Sequence, residues 1–545
     1  MSAEPLVGIA ASPGLAAGPA VRHDGAAAQS VEPAATITEA SERVCADLRE
    51  RAARASSADG RAVLEALVQF AADPELVGGA EKLAGTGVAA PEAVRSVASR
   101  FAEKLASLGG YFAERAPDVV DIGERMVAAL EGRATAELPN PGYPHVLVAR
   151  DLAPADTATL DASVVIAIVT EQGGPTSHTA ILARGLGIPA VVAIRGARDA
   201  TDGQQVVVDG DLGEVHVAPD PTITQALRQR EERRRSRSKV VTGPGRTSDG
   251  TDVKLLVNVG TLTDASSAAD SDAEGIGLFR SEFLFLGRVD EPSIEEQVDA
   301  YSQVFSRFVG RRVVVRTLDG GSDKPLPFLG LDDEENPALG VRGLRTAVSR
   351  PDVLERQLTA LASAAARTGA EPWVMAPMVS TVTEARWFGA QARAIGLPTV
   401  GIMVEVPAAA LRSRHLLAEV DFASLGTNDL AQYALAADRQ EGELGALLDP
   451  WQPAVLDLVS HACQGARATG RPIGVCGEAA SDPALAAVLV GLGVRSLSMA
   501  PVALADVRAL LRDVDLETCK RAAAAASDAA TAADARATAW STLQV

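Results

Sequence analysis

Apolar and polar positions follow three regimes along this chain. Pro5 to Val21 reads as a short strand, a Pro-Gly turn and a second strand. From Ile37 to about Gly132 the rhythm changes: Ala, Leu, Val, Glu and Arg recur at three- and four-residue spacing, with breaks at Asp73-Pro74, Gly85 to Gly87 and Pro117. That spacing predicts helices. Between Val146 and Val217 strands return as VLVAR, VVIAIVT, AVVAI, QVVVDG and EVHVA, interleaved with short helices. The helical block is therefore expected to be an insertion in an α/β domain.

The second half reads differently. TITQALRQREERRRSRSKVV, Thr222 to Val241, follows Asp220-Pro221 and is rich in arginine, but Glu231 and Glu232 interrupt it and the chain around it is acidic. It reads as an exposed linker helix, with Gly243, Pro244 and Gly245 marking a boundary after it. Beyond it lie eight apolar runs separated by helical segments: Val253 to Val259, Gly275 to Phe279, Val313 to Arg316, Val374 to Met378, Gly401 to Val404, Phe422 to Leu425, Ile473 to Val475 and Leu497 to Met499. This alternation predicts a (β/α)8 TIM barrel. The long segment from Leu318 to Pro372 is expected to carry an extra helical lobe, and the alanine-rich stretch Ala523 to Ala539 to be a helix that closes the barrel or extends from it.

At 545 residues the chain has room for three or four domains. Acidic residues outnumber basic ones by 71 to 51, a formal charge of −20, which argues against nucleic-acid or anionic-membrane partners and for a basic one. The opening residues lack a basic signal-peptide region and no apolar run reaches membrane-spanning length, so a cytoplasmic location is expected. Cys45, Cys463, Cys476 and Cys519 lie far apart without CxxC spacing, which points to neither a disulfide framework nor a zinc site.

Two groups of residues carry candidate chemistry. The first is Gly173 to Arg184, GGPTSHTAILAR, where an apolar strand from Val164 to Val169 meets a double-glycine turn and then a helix, Thr179 to Arg184, expected to close at Gly185. Glycines let backbone N–H groups approach an anion, and a helix start favours negative charge. His178 there suits a neutral nucleophile that accepts a phosphoryl group, although a capping histidine beside a glycine turn is the structural alternative. The second group falls at the carboxyl ends of the barrel runs, which share one mouth in this fold. Arg280, Arg316, Glu405, Asn428, Asp429 and Cys476 all fall there. Glu405 and Asp429 are oxygen ligands suited to Mg²⁺, and Arg280 and Arg316 suit phosphoryl oxygens. Arg342 and Lys324 can neutralise further charge, while Asn428 and Arg439 can orient a carboxylate.

The histidine loop resembles the phosphohistidine signature of the phosphoenolpyruvate-utilising enzymes. GIAASPGLAAGPA, ERAPDVVDIGER, GIGLFRSEFLF, RTLDGGSDKPLP, NPALGVRGLR, GIMVEVPAA, SLGTNDLAQY and GVCGEAA resemble, within them, the Enzyme I family of the sugar phosphotransferase system. The resemblance implies a phosphohistidine α/β domain at residues 1–25 and 143–221, a helical HPr-binding subdomain at 26–142, a linker and hinge at 222–250, and a barrel at 251–545 that binds phosphoenolpyruvate and dimerises. It implies that His178 takes the phosphoryl group of phosphoenolpyruvate and passes it to a histidine of HPr, with Mg²⁺ as cofactor and Cys476 protonating the enolate to pyruvate. Moving His178 between the two partners implies a swivel of its domain. Glu65, Asp73, Glu75, Glu81, Asp118, Asp121 and Glu124 are expected on the helical surface. Thr157 falls where the resemblance suggests a partner for the histidine ring, whereas the residues alone suggest a surface loop. Departures are Leu67, where the family often has histidine, Ser281 for a commoner threonine, and Gly320 and Ser322 in a loop often written IGG. Two other readings remain: a pyruvate phosphate dikinase or phosphoenolpyruvate synthase, which needs an ATP-binding domain, and a phosphoenolpyruvate sensor without catalysis.

Overall fold

The computed structural model describes residues 5–23, 31–54, 58–107, 115–134, 138–174, 178–220, 224–225, 242–286, 288–322, 326–331, 334–439 and 442–543. Most of the expected linker helix lies outside them, as do Lys324 and residues 175–177. The chain divides into two compact units, Met1–Glu232 and Arg233–Val545.

The first unit is built on eight strands: β1 (Leu6–Val7), β2 (Ile9–Ser12), β3 (Leu15–His23), β4 (His145–Ala149), β5 (Val165–Thr170), β6 (Ala190–Val192), β7 (Gln205–Asp209) and β8 (Glu214–Val217). Their order is β1-β8-β7-β3-β4-β5-β6-β2, with β3 to β6 parallel. β4 is buried along its whole length, as a strand covered on both faces must be. The two edges, β1 and β2, are halves of one segment broken at Gly8, where a Cβ would lie 2.3 Å from Ile194. One segment thus occupies both edges of the sheet.

Between β3 and β4 the described residues form the helices Ile37–Arg54, Ala58–Ala71, Pro74–Ala84, Ala90–Ser107 and Ala116–Leu130, packed around their own apolar core. Leu67 sits in that core, so the residue that departs from the family pattern is buried. Asp118 is also buried, paired with Arg115 at 3.0 Å, and is not on the surface where the sequence reading put it.

A buried ion cluster fastens the helices to the sheet. Asp156 Oδ1 lies 3.2 Å from both Arg51 and Arg125, and its Oδ2 lies 3.7 Å from His23 at the end of β3. Asp47 and Asp121 complete the pairing of the two arginines, each at under 3 Å (2.9 and 2.8 Å). Burial alone would raise the Asp156 pKa; the His23 hydrogen bond and the two guanidinium groups outweigh it and hold the carboxyl below its ordinary value.

The second unit is a closed barrel of eight parallel strands: β9 (Lys254–Val259), β10 (Gly275–Arg280), β11 (Arg312–Arg316), β12 (Trp373–Ala376), β13 (Val400–Val404), β14 (Phe422–Leu425), β15 (Ile473–Val475) and β16 (Ser496–Met499), which pairs back to β9. Each lies on one of the eight runs expected from the sequence. Leu278, Val314, Met375, Met403, Phe422 and Cys476 form its inner core. Below them the Arg312 guanidinium lies 4.0 Å from the centre of the Trp373 ring.

The segment from Leu318 to Pro372 forms short turns and then the helix Pro351–Thr368, which packs on Ile294–Arg307 in the outer helical layer. It supplies a barrel helix, not the extra lobe expected. The alanine-rich tail forms Leu516–Ser527 and Ala532–Leu543, which bury small side chains against the barrel helix Pro483–Leu492. The approach is close: a Cβ on Gly491 would lie 2.1 Å from the Cys519 carbonyl. Arg536 adds an ion pair to Asp449 at 3.0 Å. The tail closes the barrel layer.

Asp156→Asn is expected to destabilise the first unit by about 3 kcal/mol at pH 7 in denaturant unfolding, because it leaves buried arginines short of a carboxylate. Since the folded pKa is depressed, the wild-type advantage is present above the unfolded carboxyl pKa and disappears as pH falls through the folded one. Equal stability of the two proteins at pH 7 would contradict this.

Candidate active site

In the first unit, Gly173 adopts a left-handed φ of 98°, and the helix His178–Leu186 begins four residues after Gly174. His178 therefore stands at a helix start, where backbone N–H groups lack intrahelical partners. The helix does not stop at Gly185. It continues to Leu186 and ends at Gly187, φ 67°, where Ile188 N–H bonds the Ala183 carbonyl at 2.9 Å and Gly187 N–H the Arg184 carbonyl at 3.2 Å. That pair of bonds needs a left-handed residue after the last helical one, and the second of the two glycines fills it. Thr157 ends the short helix Pro154–Thr157, beside Asp156, and is buried; it is not the surface-loop residue the sequence alone suggested.

In the barrel, the carboxyl ends of the strands bring most of the expected residues together. A local irregularity sets the pattern. β10 carries one extra residue between Ile276 and Phe279 relative to β11, so that Arg280 stands directly opposite Arg316. Gly277 lies within the irregularity, and a Cβ there would lie 2.5 Å from Ser498.

Two adjacent guanidinium groups repel unless neutralised. Arg316 is buried and pairs with Glu282 and, at 3.0 Å, with Asp319. Burial alone would lower its pKa; Glu282, Asp319, Glu405 and Asp429 reverse that and hold its proton firmly. Among the described residues Arg280 has no ion-pair partner, which leaves it available to an incoming anion. Arg342 is also buried, 3.6 Å from Asp319 and 3.5 Å from Asp429, and donates to the Tyr433 hydroxyl at 3.3 Å. Arg439 lies 3.8 Å from Asp429. Tyr433 in turn donates to the Ala338 carbonyl, tying the Arg342 loop to the helix Thr427–Leu435 that carries Asn428 and Asp429.

Glu405 follows β13 and is buried. Its Oε1 accepts a 2.6 Å hydrogen bond from Met378 N–H, and Met378 holds an uncommon left-handed φ of 59° to make it. The Glu405 pKa is raised, first by burial and then by Asp429 and Asp319. Its Oε2 has no hydrogen-bond partner among the described residues, nor does Asp429 Oδ1. A Cβ on Gly426 would lie 2.6 Å from that Oε2, so only glycine leaves room for it.

Among the described residues no three acidic, histidine or cysteine side chains make a ready metal cage. Two carboxylates, each with a buried oxygen that accepts no hydrogen bond among the described residues, nevertheless suit Mg²⁺, which keeps waters and takes substrate oxygens as its other ligands. The donor set fits that ion.

Cys476 follows β15 and is buried; its Sγ donates to the Leu425 carbonyl at 3.6 Å. Burial, first of all, pushes the thiol up to about 11, against the Ser424 hydrogen bond, so it stays protonated at neutral pH. Asn428 Oδ1 accepts from Glu478 N–H at 3.1 Å, which leaves its NH₂ to donate elsewhere. Glu282, Asp319 and Tyr433 were not singled out from the sequence, although each lies within a motif at a strand end.

Profiles of known families match along the chain: PEP-utilising enzyme, N-terminal, at residues 7–115; PEP-utilising enzyme, mobile domain, at 142–213; and PEP-utilising enzyme, PEP-binding domain, at 234–516. A phosphoenolpyruvate-protein phosphotransferase of Streptomyces coelicolor is 49% identical over 553 residues, covering 99% of each chain. One of Haloferax volcanii is 41% identical, covering 86% of this chain and 84% of its own. A multiphosphoryl transfer protein of Xanthomonas campestris is 39% identical, covering 98% of this chain and 66% of its own.

A glutamic acid with a raised folded pKa costs stability as pH climbs above its unfolded value. Melting of the metal-free chain at pH 8 is therefore expected to rise by ~2–4 °C in Glu405→Gln, with a smaller gain at pH 5. A lower melting temperature for the variant at pH 8 would contradict the charge balance described.

Proposed function

We propose that this chain, which belongs to the family of PEP-utilising enzymes, is a phosphoenolpyruvate-protein phosphotransferase. It moves the phosphoryl group of phosphoenolpyruvate to its own His178 and then to a histidine of the phosphocarrier protein HPr, releasing pyruvate. The observation that carries this reading is the alignment of Arg280 with Arg316 beside Glu405, Asp429 and Cys476 at one barrel mouth, in a chain 49% identical over its full length to a phosphotransferase.

Each residue has a defined part. Arg280 and Arg316 grip the phosphoryl oxygens, and Arg342 and Lys324 offset further negative charge. Asn428 and Arg439 orient the substrate carboxylate. The His178 ring nitrogen forms the new bond to phosphorus as the bond from phosphorus to the enol oxygen breaks. The enolate then takes the Cys476 Sγ proton at its terminal carbon, giving pyruvate, and the thiolate is reprotonated from solvent. Glu405 and Asp429 would hold Mg²⁺, which would supply positive charge against the negative charge that develops during transfer.

In this reading residues 1–25 and 143–221 form the phosphohistidine domain, 26–142 the HPr-binding subdomain, 222–250 the hinge and 251–545 the barrel. The hinge lets His178 meet the barrel mouth and then HPr, and the enzyme works in the cytoplasm as a homodimer through its barrels. No described helix is long and apolar enough to cross a membrane.

Incubation with radiolabelled phosphoenolpyruvate and Mg²⁺ is expected to place acid-labile, base-stable label on the wild type, chased onto added HPr, and none on His178→Ala. Cys476→Ala is expected to slow pyruvate formation by about a hundredfold. Labelling by ATP but not phosphoenolpyruvate would contradict the function, as would an unlabelled wild type.

A further inference from the structure

Behind the mouth lies a buried polar network that reaches the candidate binding residues only through the Arg316 backbone and that the proposed function does not use. Gln357, on the helix Pro351–Thr368, is fully buried. Its side-chain NH₂ donates to Ser281 Oγ at 2.9 Å and to the Tyr301 hydroxyl at 3.1 Å, while its carbonyl accepts Leu318 N–H at 2.9 Å. Ser281 Oγ donates onward to the Arg316 carbonyl at 2.6 Å. Both amide hydrogens and the carbonyl are thereby used, as burial demands.

The bonds fall at the two strand ends that matter. Ser281 follows Arg280, and Leu318 lies two residues beyond Arg316. Those arginines face each other only because β10 has slipped by one residue, and strand ladders do not by themselves hold a pair of like charges side by side. The ion pairs to Glu282 and Asp319 neutralise Arg316, but they act on its side chain and leave the backbone register to other contacts.

We propose that Gln357 and Ser281 are positioning residues for phosphoryl binding: through the backbone they lock the carboxyl ends of β10 and β11 in the register that presents Arg280 and Arg316 together to one phosphoryl group. The inference rests on the function proposed above. It also assigns a role to Ser281. A threonine keeps the hydroxyl on which the network depends, so serine and threonine are equivalent there and alanine is not.

The test uses the full chain. The KM for phosphoenolpyruvate in His178 labelling is measured beside labelling of His178 from phosphorylated HPr, a step that bypasses the barrel mouth. Ser281→Ala and Gln357→Leu are expected to raise the KM about tenfold or more while leaving labelling from phosphorylated HPr unchanged. Ser281→Thr is expected to stay within about threefold of the wild-type KM, because the hydroxyl bond is worth roughly 1 kcal/mol and is retained. Hydrogen exchange on the ligand-free chain is expected to show faster exchange of Leu318 N–H in Gln357→Leu, with protection elsewhere in the barrel unchanged. If Gln357→Leu does not fold, Ser281→Ala carries the test. Wild-type KM in Ser281→Ala overturns the inference alone, as does a Ser281→Thr KM as high as that of Ser281→Ala. A wild type that takes label from phosphorylated HPr but none from phosphoenolpyruvate overturns the proposed function and this inference with it.

Discussion

Two arginines side by side at the mouth of the barrel are the constraint on which the rest of that unit depends. Arg280 and Arg316 face each other across adjacent parallel strands, an arrangement that costs energy in a protein without ligand. The barrel offsets that cost with Glu282 and Asp319 on Arg316, and it spends a backbone irregularity at Gly277 to create the pairing. Local rules broken in this way mark sites kept for function. Glu405 repeats the pattern: a buried carboxyl beside other carboxylates, held by a residue in left-handed backbone geometry.

The same physics suits the proposed site to an anionic substrate and a divalent cation. Among the described residues Arg316, Arg342 and Arg439 interleave with Glu282, Asp319 and Asp429 at the barrel mouth, so neither sign is in excess among these six. A phosphoryl group finds Arg280 free of competing carboxylates among the described residues, and a cation finds two carboxylate oxygens without hydrogen-bond partners. Burial keeps the Cys476 thiol protonated, as the proposed proton donor must be. In the first unit the cost is managed differently. Asp156 binds two arginines and a histidine in the interior, fixing the inserted helices to the sheet at the residue next to Thr157.

Much of this was legible in the sequence, for identifiable reasons. Parallel strands buried on both faces read as continuous apolar runs, so all eight barrel strands stood out, and the polar residues at their ends marked the mouth. What failed depended on packing that a local pattern does not carry. Asp118 and Thr157 look like surface residues until the fold packs Ala90–Ser107 on Ala116–Leu130 and Ala58–Ala71 on Pro154–Thr157. The helix after His178 offered two glycines as stops, and only the carbonyls of Ala183 and Arg184 decide between them. The segment after β11 was long enough to suggest a lobe, yet its helix has an apolar face that belongs to the barrel layer. Gln357 carries no local signal at all, because its importance lies in bonds to Ser281 and Leu318, 76 and 39 residues away.

The most direct measurement is a crystal structure of the chain with phosphoenolpyruvate and Mg²⁺ bound. The account predicts phosphoryl oxygens within hydrogen-bonding distance of both Arg280 and Arg316, the cation on Glu405 and Asp429, and the Cys476 thiol facing the terminal carbon of the enol. A phosphoryl group held away from the paired arginines, or a cation coordinated by neither carboxylate, would contradict it.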